Sequence, residues 1–242
     1  MKIRTDFVTN SSSSSYCVSF IVKTAADKKL ELNFYPENED GSNDVTVSLN
    51  EDVDSVVDSI KTCGSVEELR DLLLNALDLY DLFNRMSTVI LDEYGTIMDN
   101  TQLLEAISKI IKNDEDGDFE DYEDTLNDAQ QTISRFKGTM DKIEDLSDIK
   151  SVGICEYFAG WGEFARDGVA EFLDKALPKD VDIEDADAVR AAFEGKLPEA
   201  DIDCIVDQIE DDVICEFNAD ITTTIQIADG KVEKTYRFDS DD

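Results

Sequence analysis

The sequence predicts an α+β fold, with short antiparallel strands near both termini and a predominantly helical middle. Near each end of the chain, apolar residues alternate with other residues at the period of a strand. Between these regions, apolar residues recur every three or four positions, as on one face of a helix. One such pattern, over residues 119–143, predicts a single long amphipathic helix.

Three strands are expected near the N-terminus. Residues 16–22 alternate in the strand pattern, and residues 30–34 and 45–50 repeat it. A turn centred on Asp40 and Gly41 separates the second strand from the third. Because the connections have hairpin length, we expect the three strands to pair antiparallel in succession.

The middle of the chain predicts several helices. Ser65 and Glu68 form a capping box before an apolar face, which predicts a helix over about 66–85. Residues 88–98 fit either the end of that helix or a strand. A cap at position 100 or 101 predicts another helix, whose apolar residues are Leu103, Leu104, Ile107, Ile110 and Ile111.

The sharpest periodicity is a seam of apolar residues spaced alternately three and four apart. It predicts one helix packed on the helix over 103–111 as a helical hairpin; intermolecular coiled-coil pairing is the alternative. Residues 113–148 contain 13 acids and 3 bases, so parallel self-pairing would bring acidic flanks together. The seam comprises Phe119, Tyr122, Leu126, Ala129, Ile133, Phe136, Met140 and Ile143.

The pattern becomes extended again after residue 150. Residues 152–165 predict a strand with a bulge or tight bend, because glycines interrupt it. Short helical faces follow over 169–177, 189–193 and 202–209.

The chain ends in a predicted hairpin. Asp229 and Gly230 indicate a type I′ turn between strands over 221–228 and 231–238. Residues 213–217 are expected to add a neighbouring strand, and residues 239–242 a frayed acidic tail. The hairpin register places on one face Ile221, Ile225, Ile227, Val232, Tyr236 and Phe238.

These elements are consistent with one α+β domain over residues 1–242. The alternative is a division into two subdomains. The first, residues 1–150, would hold the N-terminal strands and the helices. The second, residues 151–242, would be a strand, helices and the hairpin.

Composition excludes several functional classes. The 242 residues include 58 acids, 22 bases and no histidine, for a net charge of −36. Such charge argues against direct nucleic-acid binding and against anionic membrane surfaces. The absence of histidine removes Ser-His-Asp and Cys-His catalysis and histidine metal sites. No run of 18 apolar residues predicts a membrane span, and five cysteines without a Cys-x-x-Cys motif suit a reducing cytoplasm.

Residues 1–16 read MKIRTDFVTNSSSSSY. This string resembles the opening RTDFVTNSSSSSF of uncharacterised proteins from Gram-positive bacteria and their mobile elements, with Tyr16 in place of Phe. The resemblance implies a bacterial or mobile-element origin and no particular activity. Because no apolar region follows Lys2 and Arg4, we expect a cytoplasmic protein rather than a secreted one. The run Ser11–Ser15 is interpreted as a polar loop before the first strand, with a docking or modification tag as the alternative.

Candidate catalytic and metal sites are weak. Acids between Asp114 and Glu123 fit several positions of a calcium loop around Gly117, but Lys112 stands where the first carboxylate ligand belongs. Trp161, flanked by glycines, is expected to be a core residue on a strand, with the lip of a site as the alternative. Among 58 acids, carboxylate pairs arise by chance. We therefore expect no metal, no cofactor and no catalytic residue.

The charge is the remaining indication of function. Residues 37–58 contain eight acids and no base, and residues 180–212 contain 13 acids and two bases. We interpret these blocks as the surface of a non-catalytic protein that binds a basic protein partner. In its most concrete form, the protein is a nucleic-acid mimic that blocks a basic site on a bacterial nucleic-acid enzyme or defence complex.

The expected partner-binding residues are Asp203, Asp207, Glu210 and Asp211. Simple solubility is the plainest alternative explanation of the charge. Another is a structural or regulatory interaction protein that acts through the 119–143 seam. An enzyme with an unrecognised site is the least favoured.

Overall fold

The computed structural model describes residues 14–34, 46–95, 99–114, 117–120, 122–161, 172–173, 176–183, 185–210 and 218–241. These residues form a mixed α and β structure in which helices pack against one seven-stranded sheet. The predicted mixture of helices and strands is therefore confirmed at this coarse level.

The sheet has the strand order β4-β3-β1-β5-β6-β7, and β2 also pairs with β1. Most neighbours run antiparallel, and β1 and β3 run parallel. The strands are β1 Ser14–Thr24, β2 Lys29–Leu32, β3 Thr46–Leu49, β4 Leu77–Asp78, β5 Ile149–Trp161, β6 Asn218–Ala228 and β7 Lys231–Asp241.

The strands are neither all short nor confined to the ends of the chain, so this part of the prediction is wrong. Strand β5 has 13 residues, begins in the interior of the chain and lies between β1 and β6 in the sheet. Strands β1, β6 and β7 have 11 residues each. Strand β1 includes Ser14 and Ser15, which pair with β5, so this part of the serine run is not a loop; residues 1–13 lie outside the described residues.

The N-terminal strands do not pair in simple succession. Strands β1 and β2 form the expected antiparallel hairpin. Strand β3 instead pairs parallel with β1, with Tyr16 opposite Thr46 and Cys17 opposite Val47. The chain between Thr24 and Thr46 is long enough to return to the start of β1, as parallel pairing of β3 with β1 requires, whereas a hairpin needs only a short turn.

Sequence reasoning missed the first helix. Asp52 caps it by accepting a hydrogen bond of 2.9 Å from the backbone N–H of Ser55. Val56, Val57 and Ile60 are buried at helical spacing. The helices are α1 Val53–Thr62, α2 Val66–Ala76, α3 Ser87–Tyr94, α4 Asn100–Asn113, α5 Tyr122–Met140, α6 Ala186–Phe193 and α7 Glu199–Glu210.

The predicted helix over 66–85 is wrong in its second half. Helix α2 ends before β4, and a 3-10 helix over Tyr80–Met86 follows. The side-chain amide of buried Asn100 donates hydrogen bonds of 2.7 Å to the carbonyl oxygens of Leu74 and Leu77. These bonds satisfy carbonyl groups that the end of a helix leaves unpaired. Asn100 therefore replaces the backbone partners that a longer helix would have supplied.

Helix α5 is shorter than the predicted seam, so a single long helix over 119–143 is not confirmed. The residues at the two ends of the seam, Phe119 and Ile143, flank the helix and are partly buried. The apolar pattern extends past the helix because these flanking segments also pack on the core. Within α5 the buried residues are Leu126, Ala129, Ile133, Phe136 and Met140.

The C-terminal hairpin is confirmed. Asp229 and Gly230 have φ angles of 50° and 72°, the left-handed values that a type I′ turn requires. Ile227 pairs with Val232, as the predicted face requires. Strand β7 continues to Asp241, so the predicted frayed tail is wrong over 239–241. The expected strand over 213–217 lies outside the described residues.

Two hydrophobic clusters lie on the same face of the sheet. In the first, Phe20, Ile154 and Ile225 occupy one row across three strands and pack with α1–α5. In the second, Phe158 and Ile221 occupy another row and pack with α6 and α7. Alternate residues of a strand share a face, so the register places both rows on one side. The alternative division of the chain near residue 150 stays a prediction.

Candidate partner-binding surface

Helices α6 and α7 form the framework of the acidic C-terminal block. Asp185 caps α6 by accepting a hydrogen bond of 3.1 Å from the N–H of Ala188. Pro198 directly precedes α7. Its missing N–H costs no hydrogen bond there, because N–H groups at the start of a helix have no partner within the helix. The two helices contact each other and bury one face each in the second cluster.

The period of the helices turns the acids outward. Val189, Phe193, Ile202, Ile205 and Val206 are buried, which leaves the intervening positions on the solvent side. The result is a surface with many carboxylates on two packed helices and the segment before them. We define this acidic surface by its exposed members Asp180, Asp182, Asp185, Asp187, Glu194, Glu199, Asp203 and Asp207.

One base partly neutralises the acidic surface. Nη2 of Arg190 on α6 lies 2.6 Å from Oδ1 of Asp203 on α7. The hydrogen bond to Asp203 raises the pKa of the Arg190 guanidinium, and the charges of Glu199 and Asp207 raise it further. Three acids therefore lie near Arg190, and the Asp203 carboxylate is already paired with its guanidinium.

The structure brings together two of the four predicted partner-binding residues. Asp203 and Asp207 are both exposed on α7, one helical turn apart. Glu210 is the last residue of α7, and its side chain lies outside the described residues. Asp211 also lies outside them. Sequence reasoning missed Arg190, because only the packing of α6 on α7 brings it to Asp203.

A second polar feature lies on the covered face of the sheet. Glu156 occupies the row between the two hydrophobic clusters, opposite Val18 on β1 and Thr223 on β6. The hydroxyl of Tyr16 donates a hydrogen bond of 2.7 Å to Oε1 of Glu156. Burial raises the pKa of the Tyr236 phenol, and the charge of Glu156 raises it further. Alternate residues of a strand share a face, so the position of Glu156 midway between the apolar residues Ile154 and Phe158 could have predicted that it faces inward.

A groove between α4 and α5 is the concave feature nearest to the predicted seam. Its volume is about 460 Å³, and Leu104 and Ile133 form its apolar part. Nζ of Lys137 donates a hydrogen bond of 3.1 Å to the hydroxyl of Thr101 at its edge. Most of its other lining residues are exposed and polar, which is typical of a surface depression.

The weaker sequence candidates receive little support. The carboxylate of Asp114 accepts a hydrogen bond of 2.7 Å from the N–H of Phe119, so it organises the turn before α5. Asp116 lies outside the described residues. Within the part of the chain that is described, no three potential metal-ligating side chains come together. Trp161 is the last residue of β5, and its side chain and residues 162–163 lie outside the described set.

No protein-family model, curated protein or solved structure matches this chain. Among the helices described, none is both long enough and apolar enough to cross a bilayer.

Proposed function

We propose that this protein is a cytoplasmic, non-catalytic binding protein that recognises a basic protein surface through the acidic surface on α6 and α7. The supporting observation is the separation of the two faces of these helices: apolar side chains pack on the sheet, and carboxylates face solvent. A partner that normally binds nucleic acid offers the required complement, because phosphate-binding sites are rich in Lys and Arg. In this form the protein occupies such a site in place of DNA or RNA.

The acidic surface is a stronger candidate than the helical seam. The seam residues of α5 are buried within the chain's own core, and Ile133 is only 7% exposed. Pairing them with another protein would require part of this core to open. The carboxylates of Asp203 and Asp207 are accessible without any such rearrangement.

Charge reversal tests the proposal. Asp207→Lys should slow association with a basic partner captured from the native host, because charges around an interface act mainly by steering. Asp128→Lys is the matched control, since Asp128 is also exposed on a helix and the substitution changes net charge equally. An equal effect of the two substitutions would show that only total charge matters, and would contradict a specific acidic surface.

Arg190 allows a test in the opposite direction. Arg190→Gln removes the cation beside Asp203 and should therefore strengthen binding of the same partner. Association of the wild-type protein should weaken steeply as salt is added, and DNA or RNA should compete for the partner. A partner that ignores added nucleic acid and remains bound at high salt would overturn the mimic form of the proposal.

A further inference from the structure

Among the described strands, β7 forms one outer edge of the sheet. It pairs with β6 from Lys231 to Asp241 without a break in register, and among the described strands none pairs with its other side. Eleven residues in a strand span about 36 Å. A long regular edge presents N–H and C=O groups that can pair with another strand.

The first half of β7 is uncovered. Every side chain from Lys231 to Thr235 is exposed, which includes both faces of the strand. Val232 is 37% exposed although it is apolar. Charged side chains on an edge often protect it from unwanted pairing. On β7, however, the charges are of both signs, so they do not simply repel a second strand.

The local charge of this edge differs from that of the chain. Residues 231–237 contain three bases and one acid, in a chain of net charge −36. Two copies of so acidic a protein repel each other over most of their surfaces. Approach along β7 meets less repulsion, because the whole strand, residues 231–241, contains three bases and three acids and so carries no net charge.

The sequence of β7 is complementary to itself in one antiparallel register. In a two-fold pair within one sheet, residues on the same face oppose each other, so the axis passes through a residue. With the axis at Thr235, Glu233 of each copy opposes Arg237 of the other. In the same register, Lys231 of each copy opposes Asp239 of the other. Opposite charges that face each other across strands are stabilising.

Neighbouring registers lack this complementarity. Moving the axis by one residue to Lys234 sets Lys231 opposite Arg237. Moving it by one residue the other way sets Glu233 opposite Asp239. Like charges directly opposite each other are destabilising, so both shifts are disfavoured.

We propose that two copies of this chain pair antiparallel along β7, with Thr235 on the two-fold axis, and so form one continuous sheet. The proposal does not depend on the acidic surface of α6 and α7. It identifies the partner of this edge as a second copy, on the grounds of charge complementarity.

Charge exchange tests the register. Sedimentation of the full chain over a range of micromolar concentrations should show a reversible dimer. Glu233→Lys and Arg237→Glu should each raise the dimer dissociation constant about tenfold or more, since each turns two attractive pairs into two repulsive ones. The double variant restores both pairs and should return the constant to near the wild-type value.

The outcomes separate the alternatives. A monomer at every concentration would overturn the proposal and would leave the charges of β7 as edge protection. A dimer unaffected by both single variants, or one that the double variant does not restore, would exclude this register. Thermal unfolding of each variant shows whether a loss of dimer merely reflects a loss of fold.

A cross-link provides a second, independent readout. In the proposed register, the two copies of Thr235 have Cα atoms about 5.5 Å apart or less, which a disulfide can span. Thr235→Cys should give a covalent dimer on mild oxidation, joined through the peptide that carries the substitution. Val232→Cys is the control, because that position does not oppose itself. Equal cross-linking at both positions, or none at position 235, would contradict the register.

Discussion

Tyr16 and Glu156 form a hydrogen bond of 2.7 Å across 140 residues of chain, from β1 to β5. The bond lies where the two hydrophobic clusters of the covered sheet face meet, and Tyr16 packs against both clusters. A charged acceptor is thereby held on a face that is otherwise largely apolar. This contact joins two of the central strands by their side chains as well as by their backbones.

Tyr16→Phe should lower the free energy of unfolding by about 1 kcal/mol. A hydrogen bond to a charged group contributes more than this when it is fully buried, but both side chains here are only partly buried. Urea unfolding measures the change. Tyr94→Phe serves as the control, because the Tyr94 side chain is 38% exposed on α3. Equal stability of the Tyr16→Phe variant and the wild type would show that the bond contributes nothing net.

Ile133→Asp should destabilise the fold by about 3 kcal/mol or more, or prevent folding. The substitution places an unpaired charge in the first hydrophobic cluster, where Ile133 is 7% exposed. Circular dichroism and urea unfolding measure the loss. Ser134→Asp, at the next and exposed position of α5, should have little effect. A folded, stable monomer that has lost a native oligomer would instead show that the seam is intermolecular.

Stability should fall as the pH rises above about 9 in a way that depends on Cys17. Burial raises the pKa of the Cys17 thiol from 9.0 to about 12. Between these values the unfolded thiol loses its proton and the folded thiol retains it, so the unfolded state is favoured. The contribution approaches 1.4 kcal/mol per pH unit, roughly the free energy of one pKa unit.

Cys17→Ala should remove this part of the pH dependence. Urea unfolding of the variant and the wild type, at pH values on both sides of 9.0, gives the two slopes. Other ionising groups contribute equally to both proteins, so the difference between the slopes reports Cys17. Parallel slopes would mean that the thiol is accessible or ionised in the folded protein.

Gly138→Ala should stabilise the protein by about 0.5–1 kcal/mol. Glycine weakens a helix interior relative to alanine, and a Cβ atom at position 138 would meet nothing within 4 Å. Gly230→Ala should have the opposite sign, because Gly230 has a φ of 72° that disfavours other residues. Thermal unfolding of the two variants compares them directly. Destabilisation by Gly138→Ala would reveal a role for this glycine that its surroundings do not show.

Local chemistry made several elements predictable. The hairpin at Asp229 and Gly230 follows from turn residues that tolerate left-handed backbone. The cap at Ser65 follows from a hydroxyl that accepts a hydrogen bond from the N–H of Glu68. The extended pattern after residue 150 correctly predicted a strand, but β5 pairs with β6 from Val152 to Trp161 without the bulge that the glycines suggested. Helix α1 also has a local pattern, the helical spacing of Val56, Val57 and Ile60 after Asp52. The many acids of that region made this pattern hard to recognise.

The candidate site was predictable only in part. The apolar spacing of α7 places Asp203 and Asp207 on the solvent side, and this follows from the sequence alone. The pairing of Asp203 with Arg190 does not, because the two residues belong to different helices. The placement of Glu156 beside Tyr16 likewise depends on which strands are neighbours.

The sequence by itself determined the charge of this protein, its two classes of secondary structure and the hairpin at its C-terminal end, because each depends on composition or on residues a few positions apart. Only the tertiary structure decided that β5 lies inside the sheet, that β3 joins β1 in parallel, and that α2 ends where Asn100 caps it. These outcomes depend on contacts between distant segments. Local patterns give each segment an apolar face but do not specify which other face will cover it.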